Sequence, residues 1–247
     1  MKPKTAPTGT VDLHTHMLCE VDDGARDREQ MCAMLDRSYA DGVRTLCLTP
    51  HCNPRYWGHK EREADESYAA LCAYAAERYP DLCLLRGCEL FFDHDTLELI
   101  DSGVCRPLGE GRSILVDFRS SVHYFELESA LVSISGRGFV PVLAHTERYL
   151  CLYKEPDRIA RIRERSGAYL QVNASSFFGD WGREAKHTAA YLLRVRWIDA
   201  VASDCHNLDE RPPGLGAAYL HVAKKQGEDY AREIFIHRPL QILGLES

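Results

Sequence analysis

TVDLHTHMLCEVDDGARDREQMCAMLDRSYADGVRTLCLTPH, residues 10–51, holds a strand, a helix and a second strand in succession. Residues 10–16 read as a strand that ends in histidines. Met31, Met34, Leu35 and Tyr39 then recur at helical spacing across 28–41, and Gly42 stands where a helix stop is expected. Residues 43–49 form the next strand, with His51 just beyond it. A strand that returns through a helix to another strand is the unit of a parallel sheet with covering helices.

The rhythm continues with helix 61–79 and strand 82–88, then strand 112–118, helix 124–136, strand 139–145, helix 156–165, strand 168–174, helix 183–194 and strand 198–204. These seven strands favour a closed or nearly closed α/β barrel over an open sheet. Two helices, 214–225 and 227–236, cap the chain. Residues 1–9, with two prolines and two lysines, read as a mobile arm, and 10–247 as a single domain.

At 247 residues the chain is long enough for a sizeable core. No apolar run approaches the roughly 20 residues of a membrane span, and the N-terminus lacks an apolar signal core, so a cytoplasmic protein without membrane insertion is expected. The net charge of -7 argues against a nucleic-acid partner. Ten scattered cysteines read as free thiols in strand and helix patterns, not as a disulfide framework.

Chemistry concentrates at the strand ends. His14 and His16 are two apart on one strand and face one side, as two ligands of one cation should. Glu89, His145, Asp204 and His206 recur at later strand ends, where a barrel gathers ligands at one rim, and His51 and Asp117 hold similar positions. Imidazole and carboxylate without thiolate suit manganese, iron or zinc. Glu89 is the candidate bridge between cations, the acidic loop 20–24 offers another ligand, and Asp12 is placed to hydrogen-bond an imidazole from behind. Two or three adjacent cations acidify water and clamp a phosphoryl oxygen, so phosphate-ester hydrolysis follows. Arg148 and Arg211, three residues after His145 and five after His206, supply guanidinium forks for phosphate.

DLHTHM (12–17), EVDDGARDREQ (20–30), DGVRTLCLTPH (41–51), GCELFF (87–92), ILVDF (114–118), VLAHTERY (142–149) and VASDCHNLDERPP (201–213) together resemble the PHP (polymerase and histidinol phosphatase) family. The resemblance is closest to its bacterial branch of manganese-dependent protein-tyrosine phosphatases, associated with capsule and exopolysaccharide synthesis. It implies a distorted (β/α)7 barrel, TIM-barrel-like, with three metals at the C-terminal rim of the strands. By position, His14, His16, Glu89 and Asp204 would hold the first metal, Glu89, Asp117 and His145 the second, and Asp23, His51 and His206 the third. Asp117 stands where close relatives carry glutamate, and Asp23 is preferred to Asp22 on spacing. The implied substrate is a phosphotyrosine protein, typically the tail of a tyrosine autokinase, with a homo-oligomer compatible.

Three other readings compete. A histidinol-phosphatase-like small-molecule enzyme would use the same ligands, and a non-catalytic metal-binding scaffold would need no arginines. A cysteine-dependent phosphatase is suggested by the Cys72 to Arg78 and Cys205 to Arg211 spacings, but neither loop has the interior glycines that wrap phosphate. Tyr56, Trp57, Tyr124 and Phe125 follow strand ends and could line a pocket for a phenyl ring.

Overall fold

The computed structural model describes residues 6–93 and 95–245, so part of the expected arm, residues 1–5, lies outside the described residues, as does His94. Gly9, at the arm's inner end, donates its amide to the Gly42 carbonyl.

The chain runs β1 (Thr10–Thr15), α1 (Arg28–Ala40), β2 (Val43–Leu48), β3 (His51–Cys52), α2 (Pro54–Trp57), α3 (Glu61–Arg78), β4 (Cys83–Arg86), β5 (Glu89–Phe91), α4 (Thr96–Asp101), β6 (Ser113–Asp117), α5 (Tyr124–Gly136), β7 (Val140–Leu143), α6 (Pro156–Ser166), β8 (Tyr169–Asn173), α7 (Gly182–Val195), β9 (Ala200–Ala202), α8 (Leu215–Gln226), α9 (Glu228–Arg232) and, after a π-helical turn at Glu233–His237, α10 (Arg238–Ile242). Every strand pairing is parallel, in the orders β1-β2-β4 and β3-β5-β6-β7-β8-β9.

The two ladders form one curled wall. Pro50 has no amide to continue the β2 ladder, and β3 resumes beyond it; β4 likewise resumes as β5 after Gly87 and Cys88. Gly87 donates to the Leu48 carbonyl and Glu89 to that of Pro50, so the breaks stay in register. The last strand returns to the first through a Thr15 to Cys205 bridge, with Asp204 N donating to His14 O and His16 N to Cys205 O, both at 2.9 Å. The result is the expected barrel-like α/β fold, with the short elements β3, β5, α2, α4 and α10 in addition.

The strands end one or two residues sooner than expected, and after two of them the backbone turns left-handed. β7 stops at Leu143, and His145 sits in a turn with φ 30°; β9 covers only Ala200–Ala202, and Asp204 has φ 53°. Both lie in the left-handed region that non-glycine residues rarely adopt, and such strain clusters at functional sites.

Inside, the lower barrel is apolar: Val11, Leu13, Leu115, Val142, Ala200 and Ala202 pack together, closed below by Ile242 at the end of the last helix and by Leu243 just after it. Between the strands and the surrounding helices lies a larger layer that includes Leu46, Ile114, Val116, Leu170, Val172 and Val201. On its outer side Glu128 of α5 accepts from Arg161 and Arg165 of α6 at 2.7 and 2.8 Å, tying two helices together. Among the described residues no helix is long and apolar enough to cross a membrane.

Candidate metal centre

Nine side chains expected from the sequence meet at the C-terminal rim. Glu89 is the hub. Its Oε1 lies 3.2 Å from the Nε2 of both His14 and His145, and its Oε2 lies 3.3 Å from His16 Nε2 and 2.9 Å from His51 Nδ1. Asp204 Oδ1 faces His14 and His16 at 3.3 and 3.6 Å. Asp117 Oδ1 faces His145 at 3.5 Å and accepts from the Tyr149 hydroxyl at 3.1 Å. Asp23 Oδ1 lies 3.3 Å from His51 Nε2 and 3.4 Å from His206 Nε2. Three groups of donors result, each close enough to hold one cation: His14, His16 and Glu89; Glu89, Asp117 and His145; and His16, Asp23, His51 and His206. His16 belongs to two of them.

Whether cations suit these groups is decided by the lone pairs. The Nδ1 of His14 is hydrogen-bonded to Gln171 Oε1 and that of His16 to Asp22 Oδ2, at 3.2 and 2.7 Å, which leaves each neutral ring with a bare Nε2. Those two nitrogens lie 3.2 Å apart and cannot both accept. His51 Nδ1 and His206 Nε2, which face Glu89 and Asp23, have no hydrogen-bond partner although both are buried away from water. His51 Nδ1 is 2.9 Å from Glu89, yet off the line of a hydrogen bond. Facing lone pairs and near-contacts without hydrogen-bond geometry are what a set of ligands shows around a cation's place, so the residues fit divalent metal.

Without metal, the same crowding disturbs the protonation of the groups. Burial works against a charged His14, but Glu89 and Asp204 outweigh it and raise its pKa to about 9. Burial and the neighbouring His16 push His206 down to about 4. Glu89 is buried, which favours its neutral form, yet His14 and His51 hold it well below the usual carboxylate range. Burial raises Asp117. A cation takes over the work of these protons, because ligation requires neutral imidazole and ionised carboxylate.

Asp22 and Asp23 have separate jobs. Asp22 is buried, accepts from the amides of Gly24 and His51 at 2.9 Å each, and orients His16. Asp23 is half-exposed and faces the imidazoles. The loop must pass hard against β1 to do this: a Cβ on Gly24 would lie 2.0 Å from the His16 carbonyl oxygen.

Asp12 is a correction. It was expected to hydrogen-bond an imidazole, but its Oδ1 accepts from Ser203 N at 3.0 Å and joins the first strand to the last. The register of β1 against β2 shifts between Asp12 and Thr15, so counting by twos back from His14 assigns Asp12 to the wrong face. Burial raises its pKa to about 6.

Gln171 and Asn173 escaped sequence reasoning. Gln171 Oε1 accepts from His14 and from the His145 amide at 2.7 Å, its Nε2 donates to Asn173 Oδ1, and Asn173 Nδ2 donates to Asp204 Oδ2 at 2.8 Å. This chain runs beneath three candidate ligands. Two polar residues spaced by two in the otherwise apolar strand Tyr169–Asn173 were the available signal. Glu147, also unforeseen, accepts from Ser176 and the Asn173 amide and anchors the turn between His145 and Arg148.

Arg148 and Arg211 converge on Asp204 Oδ2, at 3.5 and 2.8 Å. Their guanidinium carbons lie 3.9 and 5.2 Å from the centre of the Trp181 ring, so one indole supports both. Nothing in the sequence marked Trp181. Beside it opens a cleft of about 380 Å³ lined by Ser175, Phe178, Asp204 and Arg211. Of the aromatics suggested for a pocket, Trp57 stacks on His51 at 4.4 Å and Tyr56 and Phe125 are exposed, while Tyr124 donates to Glu128. Cys205 is buried in the core, and burial raises its thiol far above its ordinary range, which removes it as a nucleophile.

A family model described as capsular polysaccharide synthesis, CpsB/CapC, matches residues 10–244. The tyrosine-protein phosphatase CpsB of Streptococcus pneumoniae is 34% identical over 238 residues, covering 94% of this chain and 98% of that protein. The tyrosine-protein phosphatase YwqE of Bacillus subtilis is 26% identical over 219 residues, covering 89% and 86%. A crystal structure from the pair YwqE and CpsB, described as unique metal-dependent tyrosine phosphatases, superposes with a TM-score of 0.84 at 25% identity, covering 96% of this chain and 95% of that one.

Proposed function

The chain belongs to the capsular polysaccharide synthesis family CpsB/CapC, and we infer from that membership and from the buried donor set that it is a metal-dependent protein-tyrosine phosphatase. The observation that carries this reading is Glu89, one carboxylate in contact with four imidazoles, beside two arginines that share one indole. His14, His16, Glu89 and Asp204 are assigned to a first cation, Glu89, Asp117 and His145 to a second, and Asp23, His51 and His206 to a third. Manganese is the proposed occupant.

When bound, divalent cations supply an acidified water for in-line attack on phosphorus and offset the charge of the phosphoryl oxygens. Arg148 and Arg211 receive those oxygens, exchanging the Asp204 carboxylate for the substrate's phosphoryl group. Trp181 keeps both guanidinium planes at the cleft, so little rotamer freedom is lost on binding. Gln171 and Asp22 fix which nitrogen of His14 and His16 carries the proton, keeping each Nε2 free. Trp57, stacked on His51, and exposed Tyr56 form the aromatic side of the entrance for a phenyl ring.

The substrate proposed within this class is a phosphotyrosine in the tail of a tyrosine autokinase, met in the cytoplasm. Chelated protein given back manganese, zinc or magnesium singly should hydrolyse a phosphotyrosine peptide best with manganese, and far faster than histidinol phosphate. The reverse preference would return the chain to small-molecule phosphatases, and no turnover with any metal would leave a scaffold.

A further inference from the structure

The strand ends that present His51 and Glu89 inward carry sulfur on their other side. Cys52 closes β3, Cys88 immediately precedes β5, and Cys105 comes from the loop after α4. One sulfur from each lies within 4.8 Å of the other two, and Cys88 Sγ and Cys105 Sγ are 3.4 Å apart. None is in a disulfide. Cys88 and Cys105 are buried, Cys52 is half-buried, and a cleft lined by Leu48, Cys52, Cys88 and Val104 opens beside them. The Arg106 amide donates to Cys88 Sγ at 3.2 Å, a contact that favours sulfur with negative charge.

Buried cysteines commonly serve as small hydrophobes. Packing alone, however, gives no reason for three sulfurs from three separate segments to turn toward one another. Zinc–thiolate bonds of about 2.3 Å in a tetrahedron set sulfur–sulfur edges of about 3.8 Å. The Cys88–Cys105 edge of 3.4 Å and the 4.8 Å limit on the other two are compatible with that value.

We propose that Cys52, Cys88 and Cys105 form a second metal site, distinct from the imidazole and carboxylate centre, that takes one thiophilic cation such as zinc. Binding forms three metal–sulfur bonds and releases three thiol protons to solvent, with no change of oxidation state. The fourth position faces the cleft and is filled by water. Donor chemistry separates the two centres, because oxygen and nitrogen ligands suit manganese while thiolates select zinc or cuprous copper. A cation here would fasten the ends of β3 and β5 to the loop at 105, and so hold His51 and Glu89 from behind.

The test uses manganese-loaded, reduced protein titrated with cobalt(II). One equivalent should produce thiolate-to-cobalt charge-transfer absorption that zinc bleaches, with three of the ten cysteines shielded from alkylation. Cys105→Ser should lose both the absorption and the shielding while manganese content stays unchanged; Cys105→Ala replaces it if the serine variant does not fold. Absence of the band in the unmodified protein, the same band in the Cys105 variants, or a Cys88–Cys105 disulfide in peptides of the protein as purified would each overturn the site.

Discussion

The upper and lower halves of one barrel interior are built on opposite principles. Below, Val11, Leu13, Leu115, Val142, Ala200 and Ala202 fill the space with hydrocarbon, and the C-terminal helix closes it. Above, within two or three residues along the strands, His14, Glu89, Gln171, Asn173 and Asp204 are buried and Asp117 half-buried, with polar groups aimed at one another. Burying charge is costly unless it is paired, so the upper half is stable only as a set: each carboxylate has its imidazoles, and the cations complete the balance. The lower half is tolerant of detail because apolar packing is non-directional. One half supplies stability, the other stores unmet coordination.

Substitutions on either side of that divide should have different signatures. The largest effect is expected for Glu89→Gln, which keeps the volume but removes the charge shared by four imidazoles. Turnover should vanish and at least two metal equivalents should be lost, as measured by elemental analysis; full metal content would break the bridging role. Arg148→Ala and Arg211→Ala come next, each lowering kcat/KM on the order of 100-fold or more with metal retained. Unchanged turnover in both would end the phosphate-clamp assignment.

Leu115→Ala probes the lower half. Its side chain is fully buried, so denaturant unfolding should show a loss of about 2–5 kcal/mol while the metal content and the rate per folded molecule hold. Loss of metal in this variant would mean that the halves are not separable. The smallest effect belongs to Trp181→Leu, where the two cation–π contacts are worth about 0.5–2 kcal/mol each. KM for a phosphotyrosine peptide should rise several-fold with little change in metal binding; an unaltered KM would show that the arginines hold their places unaided.

Much of this division was legible from the chain. Alternation of strands and helices at regular spacing marks a parallel barrel, and polar residues at strand ends mark its rim, since both follow from local periodicity. The expected helix 124–136 matches α5 residue for residue. Counting by twos failed at Asp12, where a register shift turns the residue toward Ser203. The expected bounds failed at β7 and β9, whose early ends put His145 and Asp204 in left-handed turns.

By itself the sequence determined the fold class, the family and the identity of the converging side chains, because residue chemistry and local periodicity are carried along the chain. Only the tertiary structure decided which oxygen meets which nitrogen, that Asp22 stands behind His16, that Gln171 and Asn173 link His14 to Asp204, that Trp181 serves two arginines, and that three cysteines share a corner. These depend on register and on contacts between segments far apart in sequence, and a strand cannot encode in its own pattern which neighbour it will face.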